Sequence, residues 1–128
     1  MFLFGKKKEK EISKATESEK IDKKELYEQA LKKIEELEKT DNDAKVSLLN
    51  EIGSLFYMSE EYDQAILYYE QSLEMKKQMG KSYTDLLSLY NKKRQQAAEA
   101  KDDAQIKYYM DKVQNMMQMS KDMLRGKM

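Results

Sequence analysis

The chain has 128 residues, with 24 basic and 24 acidic side chains, so its formal net charge at pH 7 is zero. It contains no Cys and no His, which excludes disulfides, thiol chemistry, zinc sites with ordinary ligands and every mechanism that needs an imidazole base. The lack of Pro and the presence of only four Gly residues argue against a sheet protein, because tight hairpins use those residues.

The first predicted segment is a flexible, lysine-rich leader at 1–20 with an apolar tip. The tip and the basic residues that follow it are Phe2, Leu3, Phe4, Lys6, Lys7 and Lys8. This order is the reverse of a secretory signal, and no apolar run is long enough to span a bilayer. We therefore expect a cytoplasmic protein, and the composition fits a bacterial one. A weak contact of the tip with an anionic membrane surface is the alternative.

From residue 22 onward, apolar residues recur with the period of an amphipathic helix, which predicts five helical segments. The predicted segments are 22–40, 43–58, 61–79, 82–100 and 103–124. Gly80 is predicted to end the third segment in a left-handed conformation. Short connections between consecutive helices predict antiparallel neighbours that bury their apolar stripes on one another. The helical domain is thus predicted at 21–124, followed by a frayed end at 125–128.

The second and third segments carry small and large residues at a specific spacing. Gly53 and, twelve positions later, Ala65 are small, and Phe56 and Tyr69 are aromatic. This pattern resembles the tetratricopeptide repeat (TPR), a helix–turn–helix unit of 34 residues, over about 46–79. Small residues let paired helices approach closely, so we expect Gly53 and Ala65 to face each other where the helices cross.

A second, degenerate unit follows the first. Advancing by 34 residues gives a fitting first helix at 82–100, although Leu87 replaces the small residue. The second helix fits at an offset of 39, which gives Ala104 and Tyr108 the roles of the small and the aromatic residue. The first segment is similar to the second helix of a preceding, incomplete unit. The predicted fold is all-α, with about five antiparallel helices in a short right-handed TPR-like α-solenoid.

The resemblance implies a non-catalytic protein–protein interaction module or adaptor. In that family, the first helix of each pair lines a concave groove that binds a peptide or a helix. The groove-facing positions would be Asn50, Ser54, Tyr57, Thr84, Ser88, Asn91 and Gln95. These uncharged side chains suit the backbone of an extended peptide or a partner helix. The basic clamp with which some members bind acidic C-terminal tails is not matched, so binding of such tails is not expected.

Motifs for other functions are missing or weak. No phosphate-binding loop occurs, and adjacent carboxylates on a helix point in different directions, so we predict no enzyme activity, cofactor or metal. The most basic run is Lys92, Lys93 and Arg94. A basic excess is typical of nucleic-acid-binding proteins, and the balanced total charge argues against that class.

The fifth segment leaves two interpretations open. Six of the ten Met residues lie at or beyond position 110, and the predicted stripe is Ile106, Met110, Val113, Met117 and Leu124. The segment either covers the end of the array or pairs with another protein or a second copy. In both cases we expect Met110 and Val113 in the core, with Met119 off the stripe.

Charge is also distributed unevenly along the chain. The net charge is −5 over 45–75 and +6 over 76–128, which can steer a charged partner or favour self-contact. The alternative function is therefore a helical structural or assembly subunit, homo-oligomeric or attached to a membrane through the N-terminal tip.

Overall fold

A computed structural model describes residues 23–126. The predicted leader and its membrane-contacting tip lie outside the described residues, as do 127 and 128. Over the described range the chain forms five α-helices and no strand. They are α1 (23–36), which continues into a 3-10 turn (Leu37–Lys39), α2 (Asn42–Met58), α3 (Tyr62–Met75), α4 (Lys81–Glu99) and α5 (Asp103–Leu124). The prediction of an all-α helical repeat fold is confirmed.

The helices form two pairs that lie side by side. Contacts are most extensive within α2–α3 and within α4–α5, and α3 also packs against α4. The first helices of the two pairs, α2 and α4, touch each other as well. Each pair buries its apolar stripes internally, and the α3–α4 contact joins the pairs into one core.

The turns within the two pairs have the same geometry. Each contains a residue in the left-handed region, Glu60 at φ 64° and Lys101 at φ 57°. The next N–H group, of Glu61 or of Asp102, donates to a carbonyl near the helix end, at 2.9 Å in both turns. This pattern is a Schellman motif, which satisfies carbonyls that the helix end leaves unpaired. The equivalent turns are 41 residues apart.

The offset of 41 corrects the predicted offset of 39. α4 keeps the 34-residue register of α2, since Ile52 and its equivalent Leu86 are 0% and 2% exposed. However, α4 continues seven residues, about two turns, beyond the position equivalent to the end of α2. The second helix therefore starts later, and the roles assigned to Ala104 and Tyr108 are wrong. Both are exposed, Tyr108 to 45%.

The link between α3 and α4 also differs from the prediction. α3 ends at Met75, and Lys76 already has an extended backbone with φ −149°. Gly80 precedes α4 with φ −175°, so its predicted left-handed stop is wrong. The two tight turns need a left-handed residue to reverse the chain. This longer link reverses the chain through extended residues and needs none.

The core runs continuously through the helices. Its buried members are Ala30, Leu48, Ile52, Leu55, Phe56, Ala65, Ile66, Tyr69, Leu73, Tyr83, Leu86, Leu89, Tyr90 and Met116. Within it, Gly53 lies against the ring of Tyr69. A Cβ atom added at Gly53 would be 2.9 Å from Tyr69 Cδ1. The missing side chain of Gly53 thus makes room for the aromatic ring of Tyr69.

α5 turns a different face to the core than the one predicted. Its only buried residue among those described is Met116, with Val113 and Met119 half-buried beside it. Met110 is 42% exposed, so its expected place in the core is wrong, whereas Met119, which lies off the predicted stripe, packs against the core. Met110 faces outward because its neighbour Tyr109 faces the core, where its ring packs on Tyr90 with the ring centroids 6.3 Å apart.

The helix crossing at Ala65 can be tested by overpacking. Ala65 is 0% exposed, so Ala65→Leu is expected to lower the free energy of unfolding by about 1–3 kcal/mol. Ala104→Leu is the matched control, because Ala104 is exposed and its change should stay within about 0.5 kcal/mol. Thermal melts of both variants provide the measurement. Equal melts would show that Ala65 does not lie at a tight crossing.

Candidate functional site

The predicted groove residues lie on the two adjacent first helices, α2 and α4. Two side-chain hydrogen bonds join these helices directly. The hydroxyls of Tyr57 and Ser88 are 2.9 Å apart, and the Lys81 ammonium donates to Ser54 Oγ at 3.2 Å. The structure therefore brings together three of the predicted residues, Ser54, Tyr57 and Ser88. Lys81 is a groove residue that the sequence did not predict.

A buried tyrosine supports this surface from α3. Tyr69 is 1% exposed, and its hydroxyl donates to Asp85 Oδ2 on α4 at 2.7 Å. Burial, followed by the hydrogen bond and charge of Asp85, raises the pKa of Tyr69 far above its usual value. The hydroxyl therefore remains a donor at neutral pH. The ring reaches α4 past Gly53, so that glycine contributes directly to the geometry of the groove.

A second tyrosine crosses the same helix interface in the opposite direction. The hydroxyl of Tyr90 on α4 donates to Glu70 Oε2 on α3, and Lys112 Nζ on α5 lies 3.5 Å from the same oxygen. Burial and then Glu70 raise the pKa of Tyr90. Burial lowers the pKa of Lys112, but the charges and hydrogen bonds of Glu70 and Tyr108 together raise it by more, so the net direction of the pKa is upward. The two tyrosine–carboxylate bonds hold α4 in place against α3, and thereby fix the spacing between α2 and α4.

A shallow depression of about 490 Å³ lies along α4 and reaches Ile106 on α5. Its lining residues are Ser88, Asn91, Lys92, Arg94, Gln95, Ala98 and Ile106. Three of these, Ser88, Asn91 and Gln95, are predicted groove residues. The sequence did not predict Lys92 and Arg94 as groove residues, since they stand out there only as part of a basic run.

The basic run divides between two sides of α4. Lys93 pairs with Asp63 on α3 at 2.9 Å. Lys92 lies 5.6 Å from the ring centroid of Tyr62 and, with Arg94, borders the depression. The 34-residue register could have predicted that Lys92 lies near the groove. Lys92 follows the groove position Asn91, and its equivalent on α2 is the last residue, Met58.

Two predicted residues neither line the depression nor take part in the hydrogen bonds between α2 and α4. Thr84 is exposed in the first turns of α4 and does not line it. Asn50 is half-buried, and its Oδ1 atom is buried without a hydrogen-bond partner among the described residues. The groove is therefore marked by the other predicted residues, Ser54 and Tyr57 on α2 and Ser88, Asn91 and Gln95 on α4.

Tyr69→Phe tests the internal support of the groove. It removes the donor to a half-buried carboxylate, so we expect the free energy of unfolding to fall by about 1–3 kcal/mol. Tyr57→Phe is the matched control and should cost less, because the hydroxyls of Tyr57 and Ser88 remain partly accessible to water. Urea denaturation compares the two. A larger loss for Tyr57→Phe would contradict the assigned role of Tyr69.

The described part of the chain shows neither a metal site nor a membrane span. Over residues 23–126, no group of three or more acidic side chains is placed to hold a metal ion. No helix in the same range combines the length and the apolarity that crossing a membrane requires.

Comparison with known proteins identifies the repeat. Residues 24–78 match the family model of the tetratricopeptide repeat. This stretch contains α1, α2 and α3, so the match confirms the predicted family and assigns this part of the chain to it. Proteins of this class generally mediate protein–protein interactions and are generally non-catalytic. Searches of curated proteins and of solved structures found no significant match.

Proposed function

We propose that this protein is a non-catalytic adaptor that binds an extended peptide or a partner helix in the groove between α2 and α4. The observation that carries the proposal is the depression along α4 in which Ser88, Asn91 and Gln95 lie together, with Ser88 bonded to Tyr57 of α2. Hydroxyl and amide side chains both donate and accept hydrogen bonds, so they can pair with either backbone group of a peptide. The tetratricopeptide repeat supports the same class of function.

The groove is held in a fixed shape before a partner arrives. The Tyr57–Ser88 and Lys81–Ser54 hydrogen bonds cross it, and the Tyr69–Asp85 bond lies beneath it. Side chains that are already ordered lose less conformational entropy on binding. A volume of about 490 Å³ suits a few residues of a ligand, since binding pockets usually measure about 300–1,000 Å³.

Lys92 and Arg94 add positive charge to the lining of the depression. Such charge raises the rate of encounter with partners of opposite sign more than it raises affinity. We therefore expect preferred peptides to carry an acidic residue. Their association rate should fall with increasing salt, because a Debye length of about 10 Å at 0.1 M limits the attraction.

A peptide selection with the protein as bait tests this function. Peptides are selected from a random phage-displayed library, and their affinities are measured for the protein and for Asn91→Ala/Gln95→Ala. We expect the double variant to bind at least tenfold more weakly. Its stability should change by less than about 0.5 kcal/mol per site, as is usual for surface residues.

Gln114→Ala is the matched control, because Gln114 is an exposed amide on α5 that lies eight residues beyond Ile106 and does not line the depression. It should leave the affinity of every selected peptide unchanged. Peptides that bind the double variant and the control equally well would place the binding surface elsewhere and overturn the proposal.

A further inference from the structure

α5 carries an apolar stripe that the described residues cover only in part, since Val113 touches the core and the stripe's Met and Leu side chains do not, and we call it the outer stripe. Its members are Ile106, Met110, Val113, Met117 and Leu124. Met110, Met117 and Leu124 are 42%, 53% and 80% exposed. These three residues are spaced by seven, so they form one line along the helix, as in the contact seam of paired helices.

The part of α3 that corresponds to the first half of the outer stripe, Ala65, Tyr69 and Ser72, is covered. α3 and α5 are both second helices of their pairs, and the turns before them are 41 residues apart. At this offset, Met110 is equivalent to Tyr69, which is 1% exposed because it lies between α2 and α4. The outer stripe therefore occupies the position at which one more helix would complete the packing.

We propose that a second copy of this chain covers the outer stripe, with the two α5 helices antiparallel about a twofold axis at Met117. A twofold interface requires a patch that is complementary to itself. The outer stripe meets this requirement, because Met110 and Leu124 lie seven residues on either side of Met117. In the antiparallel pair, Met110 of each copy faces Leu124 of the other.

Charge and helix polarity favour the same arrangement. Lys121 lies four residues after Met117, and Asp111 lies six residues before it. In the antiparallel pair, Lys121 of one copy and Asp111 of the other lie on the same side of the twofold axis, four and six residues from it. At 1.5 Å per residue, they are about 3 Å apart along the helix axis. Opposite charges thus come to the same level on the flank of the contact. The opposed helix dipoles add a further attraction.

The size of the outer stripe predicts a weak dimer. From Ile106 to Leu124 it spans about 27 Å, and with a helix width of about 10 Å the two facing surfaces bury several hundred Å². Specific interfaces of less than about 1,200 Å² are usually weak or transient. We therefore expect a dissociation constant in the micromolar range, with monomer and dimer both present in solution.

Sedimentation velocity of the full chain, from about 10 µM to about 1 mM, tests the dimer. The wild type should shift from monomer to dimer over this range. Met117→Glu should weaken dimerisation at least tenfold, because the axis brings two carboxylates together, and its circular dichroism should be unchanged. Met79→Glu is the control, since Met79 is 48% exposed and lies outside α5. A wild type that stays monomeric, or a Met117→Glu variant that dimerises equally well, would overturn the proposal.

Disulfide trapping tests the antiparallel arrangement, since the chain has no native cysteine. Met117→Cys should cross-link to itself under mild oxidation. Met110→Cys should cross-link efficiently to Leu124→Cys but poorly to itself, because the two copies of position 110 are about 21 Å apart along the axis. Self-linking of Met110→Cys that equals the mixed reaction would overturn the antiparallel pairing. No peptide is present in either assay, so the results are independent of groove binding.

Discussion

Replacing Met116 with Asp is expected to separate α5 from the core and lower the free energy of unfolding by about 3–5 kcal/mol. Met116 is 7% exposed, and its backbone carbonyl accepts a buried hydrogen bond of 2.8 Å from the Tyr83 hydroxyl. A carboxylate at this position would be largely buried, and Lys112, which lines the same pocket as Met116, already pairs with Glu70. Urea denaturation followed by circular dichroism measures the loss.

The pH dependence of this variant identifies the cause of the loss. Burial raises the pKa of the introduced carboxyl in the folded state above its unfolded value of about 3.9. The folded state then binds the proton more tightly, so the deficit should shrink as the pH falls towards about 4. A loss that does not change with pH would point to lost packing instead of a buried charge.

Met117→Asp is the matched control for Met116→Asp. The two residues are neighbours on α5, but Met117 is 53% exposed. Its substitution should change the stability of the monomer by no more than about 0.5 kcal/mol. Similar losses in both variants would show that α5 packs in a different rotation.

The sequence predicted the helices because their apolar residues keep a helical period between polar connectors. For α5 the predicted bounds of 103–124 are those observed, and for α2 they differ by one residue. The rotation of α5 was not predictable in the same way. Tyr109 and Met110 are both apolar and adjacent, so periodicity alone cannot decide which one faces the core. That choice depends on Tyr90, which belongs to another helix.

The same distinction applies to the candidate site. Ser54, Tyr57 and Ser88 were predictable because α4 keeps the 34-residue register of α2, and they do meet in the structure. The support beneath them was not predictable. Tyr69 reaches Asp85 from a third helix, and this contact depends on how α3 packs between α2 and α4. Contacts across three helices follow from packing angles, which a single sequence does not specify.

Gly53→Val is expected to be the most damaging change within the confirmed repeat. A Cβ atom at this position would lie 2.9, 3.0 and 3.1 Å from three carbons of the Tyr69 ring. The ring is rigid and buried and cannot move aside without displacing its neighbours. Overpacking of this kind costs about 1–3 kcal/mol, and we expect the upper end because the added methyl groups extend the clash. Thermal and urea denaturation measure the loss.

Two further variants separate this clash from other effects at Gly53. Gly80→Ala is the control, since no atom lies within 4 Å of a Cβ added there and its backbone is extended. It should change stability by no more than about 0.5 kcal/mol. In a Tyr69→Leu background, Gly53→Val should cost much less, because the smaller side chain leaves the space that the ring occupied. A double-mutant cycle measures this coupling. If the stability losses of Gly53→Val and Tyr69→Leu add in the double variant, the two residues do not interact. Gly53 would then not be needed to make room for the Tyr69 ring.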